Sequence, residues 1–444
     1  MKRITVILFL LLIQNSTFAQ EMWKYFKPED FAARRAALME KIPDGVAIFI
    51  GAELPEAYVK FRQDNTFYYL TGVEIPDAVL ILNRKSKKAS LFVPDDTPDD
   101  IKKEAWIAPG NDAAQLYKFD NVISKKWMNY VLAQALENNP IVYLHIAPHE
   151  TAGMSRDRAM VQRDKRPSDP WDRRTSREIV FANLFKEQFP AVTVKSITPV
   201  IDEMRWVKDG KEIAVLRECG RIGALGFNEA MKVTRPGIYE YQAVAACDFF
   251  YQYNGAQNPA FYAIAASGER GLEWHYNANN HPLKDGDVIL LDYAPDFNYY
   301  VTDITRTWPV NGKFSDEQLK MYTCIKDAHL KIIAAIKPGV TLEDLKAIGK
   351  ETYEKHGFGK YWFGYVGHFV GMAVHDAGPY DRPFVKGVVF NVEPIIEDKE
   401  KKIHFRLEDT IAVTATGSEN LTSLTPHEPE AIYKLIREKG LWEN

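Results

Sequence analysis

The chain has 444 residues, which is too long for one ordinary domain and predicts two or three. Hydrophobic residues make up 46% of it and charged residues 26%, values that are typical of a globular protein with a large buried core. The formal net charge of −4 excludes the strongly basic surface that nucleic-acid binding needs, so we expect no nucleic-acid partner.

The N-terminal residues show the succession of basic, apolar and polar segments that is typical of a secretory signal. Lys2 and Arg3 precede an apolar run from Ile4 to Ile13, and a polar stretch then leads to Ala19. The apolar run is about half the roughly 20 residues that span a bilayer. We therefore expect residues 1–19 to be cleaved, leaving an exported periplasmic or secreted protein without a membrane span. An uncleaved membrane anchor and a buried N-terminal helix are the alternatives.

Residues 22–200 mix short strands with helix-like stretches and predict a smaller α/β domain. Val46–Ile50 and Ile141–Ile146 are apolar runs of strand length. Ala78–Leu82 and Ala89–Val93 flank a polar turn, which predicts a hairpin.

The end of this region is polar and rich in arginine. We expect a solvated loop over residues 155–178, with a substrate-contacting loop as the alternative. A linker near residues 195–208 would then lead to a second domain at residues 203–444.

The second domain contains an internal repeat. Pro236–Gly237 and Pro338–Gly339 each end a helix-like run, and the same offset of about 100 residues separates His275 from His375. Asp292 and Glu393 share this offset as well, and three features with one offset predict two similar halves related by pseudo-two-fold symmetry.

Two acidic residues of the first half are expected to face each other. Apolar, strand-like runs adjoin Asp292 and Asp303, and a turn centred between Phe297 and Asn298 would place the two directly opposite. Opposed residues have Cβ atoms about 4.5–5.5 Å apart. Two carboxylates at that distance repel each other unless a proton or a cation lies between them.

The second half repeats this arrangement about 100 residues later. Glu397–Lys402 is entirely charged and must be an exposed turn. A centre between Glu400 and Lys401 places Glu393 opposite Glu408. Four acidic side chains from two hairpins make an oxygen-rich site that suits a bridged pair of divalent metal ions.

His368 is the histidine that would complete this ligand set. A single histidine is more often structural than a metal ligand, but His368 and His375 lie at the two ends of a strand-like run. This placement favours a functional role for His368.

The second domain resembles the creatinase/methionine-aminopeptidase, or pita-bread, superfamily, and the order of its motifs is similar to that of the Xaa-Pro aminopeptidases (aminopeptidase P, peptidase family M24). In the first domain, Phe61–Gly72 resembles the matching segment of the same family. The motifs of the second domain are His275–Asn277, Leu290–Asp292, Thr302–Pro309, Gly367–His368, Val374–Asp376, Val392–Pro394 and Arg406–Asp409.

The resemblance implies an α+β chain, with a C-terminal pita-bread catalytic domain of pseudo-two-fold symmetry behind a smaller α/β domain. It implies a peptide substrate, two divalent metal ions (Mn²⁺ first, with Zn²⁺ or Co²⁺ possible) and a homo-oligomer, either a dimer or a tetramer. The metal ligands it implies are Asp292, Asp303, His368, Glu393 and Glu408.

The resemblance also implies catalytic residues. His275 and His375 would hold the substrate and the tetrahedral intermediate, and Arg406 matches an active-site arginine. Glu393 is the expected proton shuttle between water and the leaving nitrogen.

One departure from the family pattern concerns specificity. The family has a histidine four positions before the His368-type ligand, and this chain has Gly364 there. That histidine helps to line the pocket for the residue after the cleaved bond, so a strict proline requirement is not implied. Tyr365 or Trp362 could replace its packing.

Three other readings remain open at this stage. A Xaa-Pro dipeptidase (prolidase) has a similar catalytic half. A non-catalytic peptide-binding relative and a metal-free hydrolase such as creatinase share the fold, but the five ligand residues disfavour both.

Overall fold

The computed structural model describes residues 24–95, 107–137, 140–168, 170–172 and 174–442. The expected signal segment lies outside these described residues. Among the described helices, none combines the length and the apolar character that a bilayer crossing requires.

The first domain is built on a six-stranded mixed sheet with the strand order β4-β3-β2-β1-β5-β6. The pairs β1/β2 and β2/β3 are antiparallel, and the outer pairs are parallel. Its helices and strands are α1 (Pro28–Lys41), β1 (Val46–Ile50), α2 (Asn65–Thr71), β2 (Val79–Asn83), β3 (Lys88–Val93), α3 (Asn111–Tyr117), β4 (Asn121–Ser124), α4 (Met128–Leu136), β5 (Ile141–Leu144), α5 (Arg156–Lys165), α6 (Arg177–Gln188), β6 (Thr193–Ser196) and α7 (Thr198–Trp206).

The apolar run of β1 is continuous because helices cover both faces of the sheet. Ala47 and Phe49 join the core that contains α1 and α2, and Val46 and Ile48 join a separate core on the other face. The predicted strand β1 and the β2–β3 hairpin are confirmed. Strand β5 ends at Leu144, two residues before its predicted end.

The prediction of a solvated loop over residues 155–178 is wrong, because helices α5 and α6 lie there. Arg156 begins α5 and is buried, with its guanidinium 2.8 Å from Glu150 and 2.7 Å from Asp202. The arginine-rich composition therefore reflects charges paired inside the protein as well as charges in solvent.

The expected linker near residues 195–208 contains the end of β6 and the whole of α7. Arg205 of α7 is buried and bonds Glu150 at 2.5 Å and Asp376 at 2.6 Å. The connection between the domains is therefore a packed helix.

The second domain is built on two helix pairs and two long hairpins, followed by a C-terminal helix. The first half contains α8 (Gly210–Val233), α9 (Glu240–Tyr253), β7 (Asn258–Pro259), β8 (Ile264–Ser267), β9 (Val288–Asp292), β10 (Pro295–Phe297), β11 (Tyr300–Val301) and β12 (Thr305–Pro309). The second half contains α10 (Asp316–Ala335), α11 (Leu342–Lys355), β13 (Val389–Val392), β14 (Ile395–Asp398), β15 (Ile403–Arg406), β16 (Asp409–Val413), β17 (Ser418–Asn420) and α12 (Pro429–Ile436).

Matching turns confirm the predicted repeat. Gly237 joins α8 to α9 with φ of 97°, and Gly339 joins α10 to α11 with φ of 92°. Each glycine N–H donates to a carbonyl that lies shortly before its half's hairpin, that of Leu283 in the first half and that of Phe384 in the second, both at 2.9 Å.

The first hairpin also holds the two domains together. Its tip places Asp296, which is 1% exposed, 2.6 Å from the guanidinium of Arg62 in the first domain. That guanidinium lies 4.5 Å from the ring of Tyr299, which stacks on Tyr68 with centroids 3.4 Å apart. The motif Phe61–Gly72 therefore serves as a domain contact.

Replacing Arg62 should destabilise the whole protein. In Arg62→Ala, Asp296 remains buried without its cation, so we expect the free energy of unfolding to fall by about 3–5 kcal/mol. Arg217→Ala is the matched control, because the Arg217–Glu419 pair is exposed and should contribute less than about 1 kcal/mol. Urea unfolding of both variants tests this, and equal losses would contradict it.

Candidate metal centre

The first hairpin has a register that differs from the predicted one. Asp292 pairs with Thr305, not with Asp303, because the turn is centred one residue later than expected. Asn298 and Tyr299 both have positive φ, of 50° and 68°, which is the conformation of a tight two-residue hairpin turn. The stacking of Tyr299 against the first domain accompanies this conformation of a bulky residue.

Asp303 nevertheless reaches the same site from the irregular stretch between β11 and β12. Its main chain is fixed by Thr410, whose hydroxyl accepts from the Asp303 N–H at 2.8 Å and donates to its carbonyl at 3.0 Å. The Asp303 carboxyl is buried beside that of Asp292.

The second hairpin has the predicted register. Val392 pairs with Asp409 and Ile395 pairs with Arg406, so the same register places Glu393 opposite Glu408. A bridge between Thr305 and Glu408 joins the two hairpins at this level, with N···O distances of 3.0 and 3.3 Å. The acidic residues of both halves thus converge where the hairpins meet.

The predicted strand between His368 and His375 is wrong. The chain bends at residues 371–374, and the two imidazole rings stack with centroids 3.6 Å apart. His368 Nδ1 lies 3.1 Å from the carbonyl of Phe369, which can only accept, so the ring proton is on Nδ1. The unprotonated Nε2 lies 3.5 Å from Asp303 and 3.9 Å from Glu408.

The donor set fits a divalent metal ion. One ligand atom each from Asp303, His368 and Glu408 lie within 4.8 Å of one another, and all three residues are buried. Asp292 Oδ1 and Asp303 Oδ1 are buried without a hydrogen-bond partner. Buried carboxylate oxygens normally have a partner, and a cation would supply one.

The basin formed by Asp292, Asp303, Glu393 and Glu408 also has the charge of a cation site. Burial raises the pKa of Glu393 to about 7, against the opposing charge of Arg406. Burial also raises the pKa of Asp303, with Glu408 adding to the rise, and burial raises the pKa of Asp292 and Glu408. Raised pKa values mean that these carboxyls keep their protons to a higher pH than carboxyls in water do, and divalent cations would replace those protons.

Arg406 is the cation of the basin. Its Nη2 donates to Asp292 at 2.7 Å, and its Nη1 lies 3.6 Å from Glu393. It therefore connects one carboxylate of each hairpin, and it compensates one of the four negative charges.

The five predicted ligand residues line a cavity of about 450 Å³. His275 is exposed on its wall, and His375 is half-buried there. Burial, then the charge of Arg158, lowers the pKa of His275, and the same two causes lower that of His375 to about 4. Both imidazoles are therefore neutral near pH 7.

Gly364 lines this cavity and has φ of 83°, a conformation that favours glycine. Of the two residues considered as replacements for the family histidine, Tyr365 lies at the site and donates to Glu393 at 2.8 Å. Trp362 instead packs against Tyr353 and lies within van der Waals reach of Gly349 in the core.

Sequence reasoning missed three residues that adjoin the ligands. The side-chain amide of Asn391 accepts from the main-chain N–H of His368 at 2.6 Å and donates to Glu408. Thr305 donates to Glu408 at 2.7 Å. Arg158 also lines the cavity, although the sequence analysis placed it in a loop. The signal that could have indicated a helix there is the spacing of the residues after Ser155.

Two protein-family models match the chain. "Metallopeptidase family M24" matches residues 214–415, and "Aminopeptidase P, N-terminal domain" matches residues 31–143. The Xaa-Pro aminopeptidase of Escherichia coli K12 is 30% identical over 446 residues, which cover 92% of this chain and 97% of that protein.

The chain is also similar to solved structures that are described as aminopeptidases P. Aminopeptidase P from E. coli with the inhibitor Pro-Leu superposes with a TM-score of 0.76 and 27% identity, covering 93% of this chain and 98% of that one. A Bacillus anthracis structure described as a candidate aminopeptidase P has a TM-score of 0.82 and 27% identity, covering 94% and 100%. The chain belongs to the Xaa-Pro aminopeptidase family of M24 metallopeptidases, which are hydrolases, and its predicted two-domain fold is confirmed.

The metal-free protein should lose stability as the pH rises. The four carboxyls have higher pKa values in the folded chain than the roughly 4 of the unfolded chain. Their stabilising contribution is therefore complete below about pH 4 and is lost as the pH rises through their folded-state pKa values, of which that of Glu393 is about 7. We expect Mn²⁺ to raise the melting temperature more at pH 7.5 than at pH 5.5.

Asp303→Asn is the companion variant for this experiment. It removes one negative charge and one ligand, so its metal-free form should lose less stability between the two pH values and gain less from Mn²⁺. Thermal unfolding with EDTA or with Mn²⁺ measures both effects. Identical behaviour of the variant and the parent protein would contradict the metal centre.

Proposed function

We propose that this protein is an exported aminopeptidase that uses two divalent metal ions to release the N-terminal residue from peptides with proline in second position. The observation that carries the proposal is that the five predicted ligands are buried and line one cavity, with ligand atoms of three of them within 4.8 Å of one another. Membership of the Xaa-Pro aminopeptidase family supports the substrate class.

The proposed metal ligands are Asp292, Asp303, His368, Glu393 and Glu408. Four carboxylates and one imidazole suit Mn²⁺, which is our first choice, and also Zn²⁺ or Co²⁺. An E. coli aminopeptidase P has been described in a Zn-substituted form in complex with product. When bound, the ions supply the positive charge that activates water for attack on a carbonyl.

Glu393 is the proposed proton shuttle. Its Oε2 accepts from the Tyr365 hydroxyl at 2.8 Å, and its Oε1 faces Arg406 at 3.6 Å, so the carboxyl has a defined orientation. Its pKa of about 7 in the metal-free chain shows how readily this environment retains a proton. A carboxylate placed in this way can accept a proton from water and pass it to the leaving nitrogen.

His275 and His375 are the proposed substrate-binding histidines. Arg158 Nη1 lies 3.4 Å from His275 Nδ1, and because a guanidinium only donates, the proton of this neutral ring is on Nε2. A neutral imidazole N–H can donate to a carbonyl oxygen as negative charge develops on it. Arg406 keeps its role of orienting Asp292 and Glu393.

The preference for proline rests on the family, and Gly364 weakens it. No side chain extends from this position into the cavity, so the space for the residue after the cleaved bond is wider than a histidine would leave. We expect proline to be preferred but larger residues to be tolerated.

Hydrolysis of peptides by the Mn²⁺-loaded protein tests the proposal. Ala-Pro-Ala should be cleaved after its first residue, and Glu393→Gln should lower kcat by about 10²–10⁴-fold because the shuttle is lost. Arg217→Ala, which removes an exposed side chain of α8, is the matched control and should keep the parent activity. If Asp303→Ala or Glu393→Gln hydrolyses the peptide as fast as the parent, the assignment of these residues is wrong.

The same assay separates the alternatives. A prolidase would cleave Ala-Pro but not Ala-Pro-Ala, and a non-catalytic binding protein would cleave neither. Cleavage of Ala-Ala-Ala at a similar rate would remove the proline requirement without changing the chemistry.

Export is proposed from the N-terminal residues alone, and a homo-oligomer, a dimer or tetramer, from the family alone. We expect the mature chain to begin close after Ala19 and to be found outside the cytoplasm. N-terminal sequencing of the protein from cell fractions checks this expectation, and a cytoplasmic chain that retains Lys2 and Arg3 would contradict it.

A further inference from the structure

The N-terminal turn of helix α5 forms one wall of the substrate cavity. Ser155, Asp157 and Arg158 line the same cavity as Gly364. Ser155 forms a β-bridge with His375, and the Arg156 N–H donates to the His375 carbonyl at 3.4 Å. This wall comes from the first domain and is attached directly to the catalytic domain.

The attachment is rigid because the side chain of Arg156 is buried in an ion-pair network. Its guanidinium lies 2.8 Å from Glu150 and 2.7 Å from Asp202, and Glu150 also bonds Arg205. Arg158 lies two residues further along the same helical turn, so the position of its backbone is fixed as well.

Most of the N–H donors of the Arg158 guanidinium are available to a ligand. Among the described residues no carboxylate forms an ion pair with it, and its one hydrogen bond is the contact of Nη1 with His275 Nδ1. A guanidinium carries five N–H donors in a planar fork that matches a carboxylate. Four of them remain available on the cavity side of a neutral histidine.

Among the described residues that line the cavity, the other cationic side chains already have carboxylate partners. Arg406 donates to Asp292 at 2.7 Å, and Lys346 donates to Glu343 at 2.7 Å. This leaves Arg158 to bind a carboxylate of the substrate.

We propose that Arg158 is a specificity residue that binds a carboxylate of the substrate, namely the free C-terminal carboxylate of a short peptide. The proposal rests on the proposed peptidase function and adds a preference for short substrates with a free C-terminus. An acidic side chain on a longer peptide offers the same chemistry and is separated from it by experiment.

The position of Arg158 favours the C-terminal carboxylate. Arg158 contacts His275, its charge also acts on His375, and the ring of His375 stacks at 3.6 Å on His368. Arg158 and the five proposed ligands line one cavity of about 450 Å³. An extended peptide advances about 3.3–3.6 Å per residue, so a short peptide bound at the ligands keeps its C-terminus within that cavity.

The test compares Ala-Pro-Ala with its C-terminal amide. We expect the acid to have a kcat/KM about 10- to 100-fold higher than the amide, mainly through KM, as one charge-assisted contact provides. Arg158→Gln should abolish this preference by raising KM for the acid alone, and Arg158→Lys should retain part of it. Arg166→Gln, an exposed arginine just after the same helix, is the matched control and should keep the full preference.

A second arm identifies the source of the carboxylate. Ala-Pro-Asp-amide should behave like Ala-Pro-Ala-amide if Arg158 binds the C-terminus, and like the acid if it binds a side chain, which would overturn the C-terminal assignment. Equal kcat/KM for acid and amide in the parent protein would overturn the inference while leaving the peptidase function intact.

A binding measurement keeps the inference testable without catalysis. Calorimetry with the metal-loaded protein should show tighter binding of Pro-Leu than of Pro-Leu-amide, and Arg158→Gln should remove the difference. If no peptide is hydrolysed but this difference is present, the proposed function fails and the carboxylate site stands. If the difference persists in Arg158→Gln, the inference is wrong.

Discussion

The repulsion among four buried carboxyls is the constraint on which the rest of the catalytic domain depends. Asp292, Asp303, Glu393 and Glu408 share one basin, and Arg406 supplies a single positive charge between two of them. Such a cluster is stable only with protons or cations in it. The two hairpins, bridged to each other at the level of the cluster, hold the acids together against this repulsion.

The first domain belongs to the site as much as the second does. Asp376, next to His375, is buried between Arg205 and Lys208, and Arg205 continues the network to Glu150. The main chain of residues 152–156 bonds that of residues 374–375. The orientation of His375, and the presence of Arg158 near His275, are therefore consequences of how the two domains pack.

The two hairpins show where sequence reasoning succeeded and failed. The register of Glu393 and Glu408 was predicted correctly, because the observed pairing of Asp398 with Ile403 centres the turn between Glu400 and Lys401. The register of Asp292 was wrong because Asn298 and Tyr299 both take positive φ, and Tyr299 stacks there on Tyr68 of the other domain. The short-range pattern contains no sign of a contact with a residue so far away along the chain.

Residue type and spacing by themselves determined the family, the internal repeat and the candidate ligand set, because motif order and strand-end acidic residues are local features of the sequence. Only the tertiary structure decided the detailed geometry. In that structure, a polar, arginine-rich segment forms a helix, and the chain bends between His368 and His375 so that their rings stack. These outcomes depend on ion pairs and ring contacts between distant segments, and the energy of such long-range contacts outweighs local preference.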